Sequence, residues 1–258
     1  VKHTSTKITF LGTGTSSGVP MIGCNCAVCS STDSKDNRLR SSILVNTDNF
    51  TFVIDTTPDF RYQMLRTKTN TLNAVVFTHA HKDHIAGLDD IRAYNYLMKA
   101  PMNVYASALT NDALKKDFYY AFAEIKYPGV PEIILHEIDE TPFTIGGLTI
   151  QPILVWHHKM PVYGYRFNDF TYITDANRID DDQKEKIKGS KVLVLNALRR
   201  EPHISHFTLQ QAIDLAEELQ IPQVYFTHIS HQLGLHKEVE LELPNHIHLA
   251  YDGLVVEI

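Results

Sequence analysis

The six residues His79-Ala80-His81-Lys82-Asp83-His84 constrain this chain more than any other stretch. They follow the apolar run Ala74–Phe77 and Thr78, and they precede Gly87-Leu88. Three imidazoles and one carboxylate packed so closely after a strand require a fold that opens a polar site at that strand's end, where functional groups usually sit. Imidazole with carboxylate suits zinc, manganese or iron, and a carboxylate can reach a second metal beside the first. Ligands that leave positions open admit water, whose pKa falls toward ~7 on zinc. A solvated polar loop is the plain alternative. It does not explain this spacing directly behind an apolar strand.

The remainder of the chain reads as α/β. Short β-branched runs bounded by turn residues predict strands at Lys7–Leu11, Ser42–Val45, Phe50–Ile54, Ala74–Phe77, Asn103–Tyr105, Ile133–Glu137, Leu148–Val155, Gly164–Phe167, Phe170–Ile173, Val192–Leu195, Gln223–Phe226, Ile247–Ala250 and Leu254–Glu257. Helical patterns occupy Pro58–Leu65, Leu88–Met98, Thr110–Phe122, Asp180–Lys188 and Thr208–Leu219. The last is the clearest: Leu209, Ala212, Ile213, Ala216 and Leu219 share one face, with Thr208 as N-cap. Strands this numerous, with helices between and after them, imply two sheets covered by helices on their outer faces. Gly146-Gly147 reads as a hairpin turn, no linker divides the chain, and residues 1–258 are expected to form a single domain. The aromatic stretch Phe118-Tyr119-Tyr120-Ala121-Phe122 reads as core ahead of a substrate wall, as does Tyr127-Pro128-Gly129.

Composition closes off several classes. A hydrophobic fraction of 43% in 258 residues excludes disorder. No apolar run approaches the roughly 18–20 residues that span a membrane. The opening Val1–Thr6 has no apolar core of the kind an export signal carries, so a cytoplasmic protein is expected and no membrane partner. With 24 basic and 30 acidic side chains the net charge is −6, so a broad electrostatic footprint for long nucleic acid is absent.

All three cysteines lie in Gly23-Cys24-Asn25-Cys26-Ala27-Val28-Cys29, which cannot form a closed disulfide framework. Spacing this tight points to a metal in a reducing compartment, ahead of three merely buried thiols. Three thiolates and one imidazole make a closed tetrahedral zinc site, structural and not catalytic. The fourth ligand must come from elsewhere, and His231 in Thr227-His228-Ile229-Ser230-His231-Gln232 is the candidate. One loop would then serve two metal centres. The opening Gly12-Thr13-Gly14-Thr15-Ser16-Ser17-Gly18-Val19-Pro20 lacks the Gly-Lys-Ser/Thr ending of a nucleotide loop, and no helix follows. Its glycines are expected to let the backbone pass close to the metal site.

The run from His79 to His84 is the His-x-His-x-Asp-His signature without a departure, and through it the chain resembles the metallo-β-lactamase superfamily. The resemblance implies a four-layer αββα sandwich with metals at one edge. It also implies three further ligands in order: a mid-chain histidine in Val155-Trp156-His157-His158-Lys159, an aspartate in Tyr172-Ile173-Thr174-Asp175, and a last histidine in Phe226-Thr227-His228. His157 keeps a His-x-Lys relation and is preferred over His158, which keeps the distance to Gly164-Tyr165. The glycine-rich start, the Gly-Cys-x-Cys-x-x-Cys run and Thr-His-Ile-Ser-His-Gln narrow the resemblance to the PhnP-like branch of cyclic-phosphate phosphodiesterases, over Ile8 to about Glu257.

What that branch implies is specific. His79, His81 and His157 would hold one metal and Asp83, His84 and His228 a second, with Asp175 bridging. The pair would be manganese or zinc, with iron as a further option. Cys24, Cys26, Cys29 and His231 would hold a structural zinc. Asp83 and His206 are the expected catalytic residues, His206 in Pro202-His203-Ile204-Ser205-His206-Phe207-Thr208 as a non-ligand near the scissile phosphate. A free imidazole with an ordinary pKa of ~6.5 can protonate a leaving alkoxide. A histidine that merely flanks the helix is the alternative.

The expected activity is hydrolysis of a small or cyclic phosphodiester. The same ligand set supports a thiolesterase. A tRNase Z-like nuclease would need a basic arm, and none is present. The PqqB-like branch shares the cysteine site and departs at the metal loop, which is intact here. A non-catalytic, metal-stabilised binding protein would often have lost a ligand.

Overall fold

The computed structural model describes residues 6–258, so nearly all of the opening stretch read as lacking an export signal lies outside the described residues. In chain order the strands are β1 (Lys7–Gly12), β2 (Ser42–Asn46), β3 (Thr51–Ile54), β4 (Ala74–Val76), β5 (Met102–Ala106), β6 (Ile133–Glu137), β7 (Phe143–Ile145), β8 (Leu148–His157), β9 (Met160–Phe167), β10 (Phe170–Tyr172), β11 (Val192–Asn196), β12 (Gln223–Thr227), β13 (Ile247–Leu249) and β14 (Val255–Glu257). They form two seven-stranded sheets, ordered β14-β1-β2-β3-β4-β5-β6 and β13-β12-β11-β10-β9-β8-β7. The helices are α1 (Phe60–Arg66), α2 (Lys82–Ile85), α3 (Arg92–Met98), α4 (Ala108–Asp117), α5 (Tyr119–Phe122), α6 (Asp181–Ile187), α7 (Leu209–Leu219) and α8 (His236–Glu240).

Side-chain alternation builds the layers. In β2, β3 and β4, Ile43, Val45, Phe52, Ile54, Ala74 and Val76 face the second sheet and meet Tyr165, Phe167, Phe170 and Tyr172. The intervening Leu44, Val53 and Val75 face outward beneath α1, α3 and α4. In β11, Val192 and Val194 point between the sheets, while Leu193 and Leu195 lie beneath α6 and α7. Strands apolar on both faces need cover on both, and the result is an αββα sandwich.

Helix α7 starts as its sequence dictates. The Thr208 side chain accepts from Gln211 N, and the Gln211 side chain returns a bond to the Thr208 N–H. Its buried face is Leu209, Ala212, Leu215, Ala216 and Leu219, each leucine worth roughly 1.5–3 kcal/mol of burial. Ile213, expected on that face, is only partly buried.

Several expectations need correction. The expected helix Thr110–Phe122 is two, broken at Phe118, whose backbone (φ −113°, ψ 36°) is not helical. Leu88–Met98 begins as a 3-10 turn over Leu88–Ile91. Strand β7 was not expected: three residues behind Pro142 are too short to show alternation. Strand β9 begins at Met160, ahead of the expected Gly164, because Pro161 is tolerated opposite Trp156. The pairing His157↔Met160 makes His158-Lys159 a two-residue hairpin turn. Gly146-Gly147 is the turn between β7 and β8, as expected. Of the aromatic stretch, Phe118 and Ala121 are core and Tyr120 and Phe122 pack against it, whereas Tyr119 and Tyr127 are exposed.

The glycine-rich loop packs between two neighbouring segments. A Cβ on Gly12 would lie 1.9 Å from Arg40 O, and one on Gly14 2.8 Å from Arg38 O. The glycines thus admit the backbone of residues 38–40, and the loop also passes close to the site, as expected: Gly14 bridges Ile229, directly after His228, and Thr15 N donates to Ile229 O at 3.1 Å. Among the described residues no helix is long and apolar enough to cross a membrane.

Candidate metal centre

The site forms where both sheets end. Strands β3 to β6 are parallel, as are β10 to β13, so several carboxyl ends meet at one rim. The segment Thr78–His84 leaves β4, His157 is the last residue of β8, Asp175 lies three residues past β10, and His228 directly follows β12. Both Asp175 and His228 have φ +55°, a left-handed conformation uncommon away from glycine and often found at functional sites.

The side chains converge. Ring centroids of His79 and His81 are 4.7 Å apart, those of His81 and His157 5.1 Å, and those of His79 and His157 5.7 Å. His84 Nε2 lies 3.2 Å from Asp83 Oδ2 and 3.2 Å from Asp175 Oδ2, and His228 Nδ1 lies 3.2 Å from Asp175 Oδ2. Ligand atoms of Asp83, His84, Asp175 and His228 all fall within 4.8 Å of one another, as do those of His157, Asp175 and His206. His158 is exposed at the hairpin turn with φ +58°, and its N–H donates to Asn177 Oδ1 at 2.7 Å.

Hydrogen bonds assign which nitrogens keep a lone pair. Asp55, fully buried just past β3 with φ +68°, accepts from Thr78 N at 2.9 Å, Thr78 Oγ1 at 2.8 Å and His84 Nδ1 at 2.7 Å. His84 Nδ1 therefore carries the proton, and Nε2 faces the two carboxylates. The Thr78 hydroxyl, already donating to Asp55, accepts from His79 Nδ1 at 3.0 Å, which leaves the buried His79 Nε2 without a partner. His157 Nδ1 donates to Ser205 O at 2.9 Å. Donor atoms of Asp83, His84, Asp175 and His228 thus crowd together with more lone pairs than hydrogen-bond donors, an arrangement that a cation satisfies. The residues present fit a divalent metal.

The ionisation follows from the same contacts. Burial opposes charge on Asp175, but His228 and His84 hold it well below the usual carboxylate range. Burial likewise opposes charge on His84, and Asp175, Asp83 and Asp55 outweigh it, keeping the ring well above its ordinary value. Burial lowers His79, His81 and His228. His206 differs from the ordinary imidazole value expected of it: burial first, then His228, pushes it down to about 3. Its ring stacks on His228 at 4.8 Å and lies 4.6 Å from His157, and its Nδ1 is buried without a hydrogen-bond partner.

The cysteines form a separate cluster. Cys24 Sγ and Cys26 Sγ lie 3.4 Å and 3.3 Å from His231 Nδ1, and all four ligand atoms are within 4.8 Å of one another. A tetrahedron with Zn–S of ~2.3 Å and Zn–N of ~2.0 Å has an S···N edge of about 3.5 Å, so these donors fit zinc. The Cys29 N–H, and then His231, bring the Cys26 thiol down to about 6. Burial, and then the Cys24 thiol, leaves Cys29 up at about 11 despite a bond from Met21 N. A Cys29 thiolate at neutral pH therefore needs positive charge that the protein does not supply there.

Sequence reasoning missed the supports. Asp55 was visible only as an aspartate closing an apolar run. Thr174 Oγ1 donates to Asp175 Oδ2 at 2.6 Å, and Thr15 Oγ1 lies 3.3 Å from His228 Nε2. The Asn196 amide clasps Ala176, bonding its N at 2.8 Å and its O at 2.9 Å. None of these has a spacing signature.

Fold and site together define a metallohydrolase of the metallo-β-lactamase type. A family profile described as "Beta-lactamase superfamily domain" matches residues 51–229, and the chain belongs to that superfamily, in its PhnP-like branch. A solved structure described as a new diphosphatase from the PhnP family is 42% identical, with a TM-score of 0.93, covering 98% of this chain and 97% of that one. Zinc-bound PqqB from Methylobacterium extorquens is 19% identical with a TM-score of 0.81, covering 98% of this chain and all of that one, which shows a shared fold. A Porphyromonas gingivalis protein named octanoyltransferase is 40% identical over 248 residues, 95% of this chain and 50% of that protein. The chain thus spans about half the length of this curated relative.

Proposed function

We propose that this chain is a two-metal phosphodiesterase acting on small or cyclic phosphodiesters in the cytoplasm, as a single domain and without long nucleic acid as substrate. The reading is carried by the crowded cluster of Asp83, His84, Asp175 and His228, with an unpartnered imidazole nitrogen, that of His206, at its edge. Likeness to a PhnP-family diphosphatase over nearly the whole chain directs the chemistry toward phosphorus. The octanoyltransferase name belongs to a protein about twice as long, and acyl transfer is not carried over to this chain.

His79, His81 and His157 would hold one ion, Asp83, His84 and His228 the other, with Asp175 shared between them. Manganese or zinc, with iron as a further option, would serve here, and a separate structural zinc would sit on Cys24, Cys26, Cys29 and His231. Such ions, when bound, supply Lewis acidity toward phosphoryl oxygens and acidify water for in-line attack. The protein's own contribution is orientation: Asp55 fixes His84, Thr78 fixes His79, and the Ser205 carbonyl fixes His157. His206 gives a proton to the departing oxygen. Burial and His228 disfavour charge on its ring, and an anionic diester against it supplies the opposing charge that favours protonation.

The test is elemental analysis of the purified protein with a hydrolysis screen of cyclic and linear phosphodiesters, diphosphates and a thioester. Two transition-metal equivalents beyond the cysteine-bound zinc, with turnover of a phosphodiester, are the expected result. Turnover of the thioester alone would overturn the phosphodiesterase assignment, and nuclease activity on structured RNA would replace it.

A further inference from the structure

The loop that carries His206 is held in an unusual way. Its ends are tied into the fold: Leu198 N donates to Phe207 O at 3.1 Å, Leu209 N to Arg199 O at 2.9 Å, and Phe207 N to Ala176 O at 2.8 Å. Its tip is exposed at Glu201, Pro202 and Ile204 and belongs to no strand. The tip is gripped by the half-buried guanidinium of Arg199. Nε donates to Glu201 O at 3.2 Å, Nη2 to Pro202 O at 3.0 Å, and Nη1 to Gln232 Oε1 at 2.9 Å. Gln232 directly follows His231 of the cysteine cluster.

All three acceptors are neutral. The guanidinium is therefore spent on geometry and not on neutralising a carboxylate, and its rigid planar fork matches three fixed oxygens as an ammonium cannot. With an N–H from each of its three nitrogens committed to the protein, the group acts as a brace.

We infer that Arg199 is a positioning residue: with Gln232 it braces the His203–His206 loop against the segment carrying His231, so the cysteine cluster and the proton donor move as one unit. The inference rests on the reading of His206 as general acid. It adds that the donor's placement depends on a strap reaching the other metal centre. A misplacement of ~1 Å in a reacting group can cost about 10²-fold.

The test uses the full, manganese-loaded protein as Arg199→Ala, Arg199→Lys, Gln232→Ala and Gln232→Glu, with metal content and melting temperature checked. For Arg199→Ala, kcat on an alkyl phosphodiester should fall by about 10- to 10²-fold. A nitrophenyl phosphodiester, whose leaving group departs without help, should lose only a few-fold, with KM little changed. Lysine should not rescue. Gln232→Glu should retain activity, because a carboxylate still accepts from Arg199. Gln232→Ala should behave as a weaker Arg199→Ala, and it provides the same test at an exposed position if Arg199→Ala fails to fold. Amide hydrogen exchange at Ser205 and Phe207 should quicken in Arg199→Ala.

Equal losses on both leaving groups, or unchanged exchange in a folded variant, would overturn the brace. The parent reading fails differently. If His206→Ala shows no leaving-group dependence, His206 is not the acid, while the exchange result still decides the brace. If His206→Ala shows the dependence and Arg199→Ala does not, the brace alone is wrong.

Discussion

The two clusters of candidate metal-binding side chains are built on opposite plans. The cysteine cluster draws three donors from six consecutive residues and one from a distant loop, and its members are only half-buried. The histidine–aspartate cluster draws its donors from the ends of strands in both sheets, and most are buried. It is backed by a second layer, Asp55, Thr78, Thr174 and the Ser205 carbonyl, that aims each donor. A site that only ties chain segments together can be assembled locally and left with few supports. A site that performs chemistry needs donors oriented from several directions, and only a folded rim supplies those.

That contrast can be broken by experiment. Its sharpest test is His206→Ala, which should cost ~10²–10⁴-fold in kcat on an alkyl phosphodiester, since a general acid contributes that much. The loss on a nitrophenyl diester should be far smaller, with both catalytic metals and the melting temperature unchanged. Equal losses on both substrates would make His206 a binding or structural residue.

Asp55→Asn comes next. It removes an outer partner of His84 without touching a donor, and such losses typically cost about 10–10²-fold in metal affinity or activity. Metal titration of the variant checks this. Unchanged affinity would mean that the second layer is packing and not orientation.

Cys26→Ser should act in the opposite direction, on the fold more than on the chemistry. Zinc content and melting temperature should fall, by roughly 2–4 °C for each kcal/mol lost in a chain of this size. Any loss of rate should carry the leaving-group dependence transmitted through Gln232 and Arg199. A variant with full zinc content and unchanged melting temperature would remove the structural role.

The smallest effect lies away from both clusters. His236 Nδ1 accepts from the buried Arg38 guanidinium at 3.0 Å, and the His236 backbone N–H donates to Asp36 Oδ1 at 2.7 Å. Burial first, then Arg38, pushes His236 down to about 4, below the ordinary ~6.5 of an unfolded chain. A group depressed in the folded state stabilises above its unfolded pKa, and that contribution drains away as pH falls from ~6.5 toward ~4. Thermal melts of His236→Gln should show a shallower loss of stability across that window. An identical slope would place the acid sensitivity elsewhere.

Much of this protein is chain-local and could be read without coordinates. Thirteen strands were legible because β-branched runs and turn residues act over a few neighbours, as was the Thr208 cap of α7. So were the ligand-type loop behind β4 and the cysteine cluster, since adjacent residues of one chemistry declare themselves by spacing. Tertiary structure decided the rest. Which of His157 and His158 turns toward His79 and His81 depends on where β8 ends and β9 begins, a register that Pro161 obscured. Asp55 acquires its role only because parallel pairing of β3 with β4 sets it beside Thr78 and His84. The Arg199 strap joins two loops that no local pattern connects. Propensity and spacing are properties of neighbours along the chain, whereas the facing of a side chain and the partner it meets depend on register and packing, which exist only once the sheets have formed.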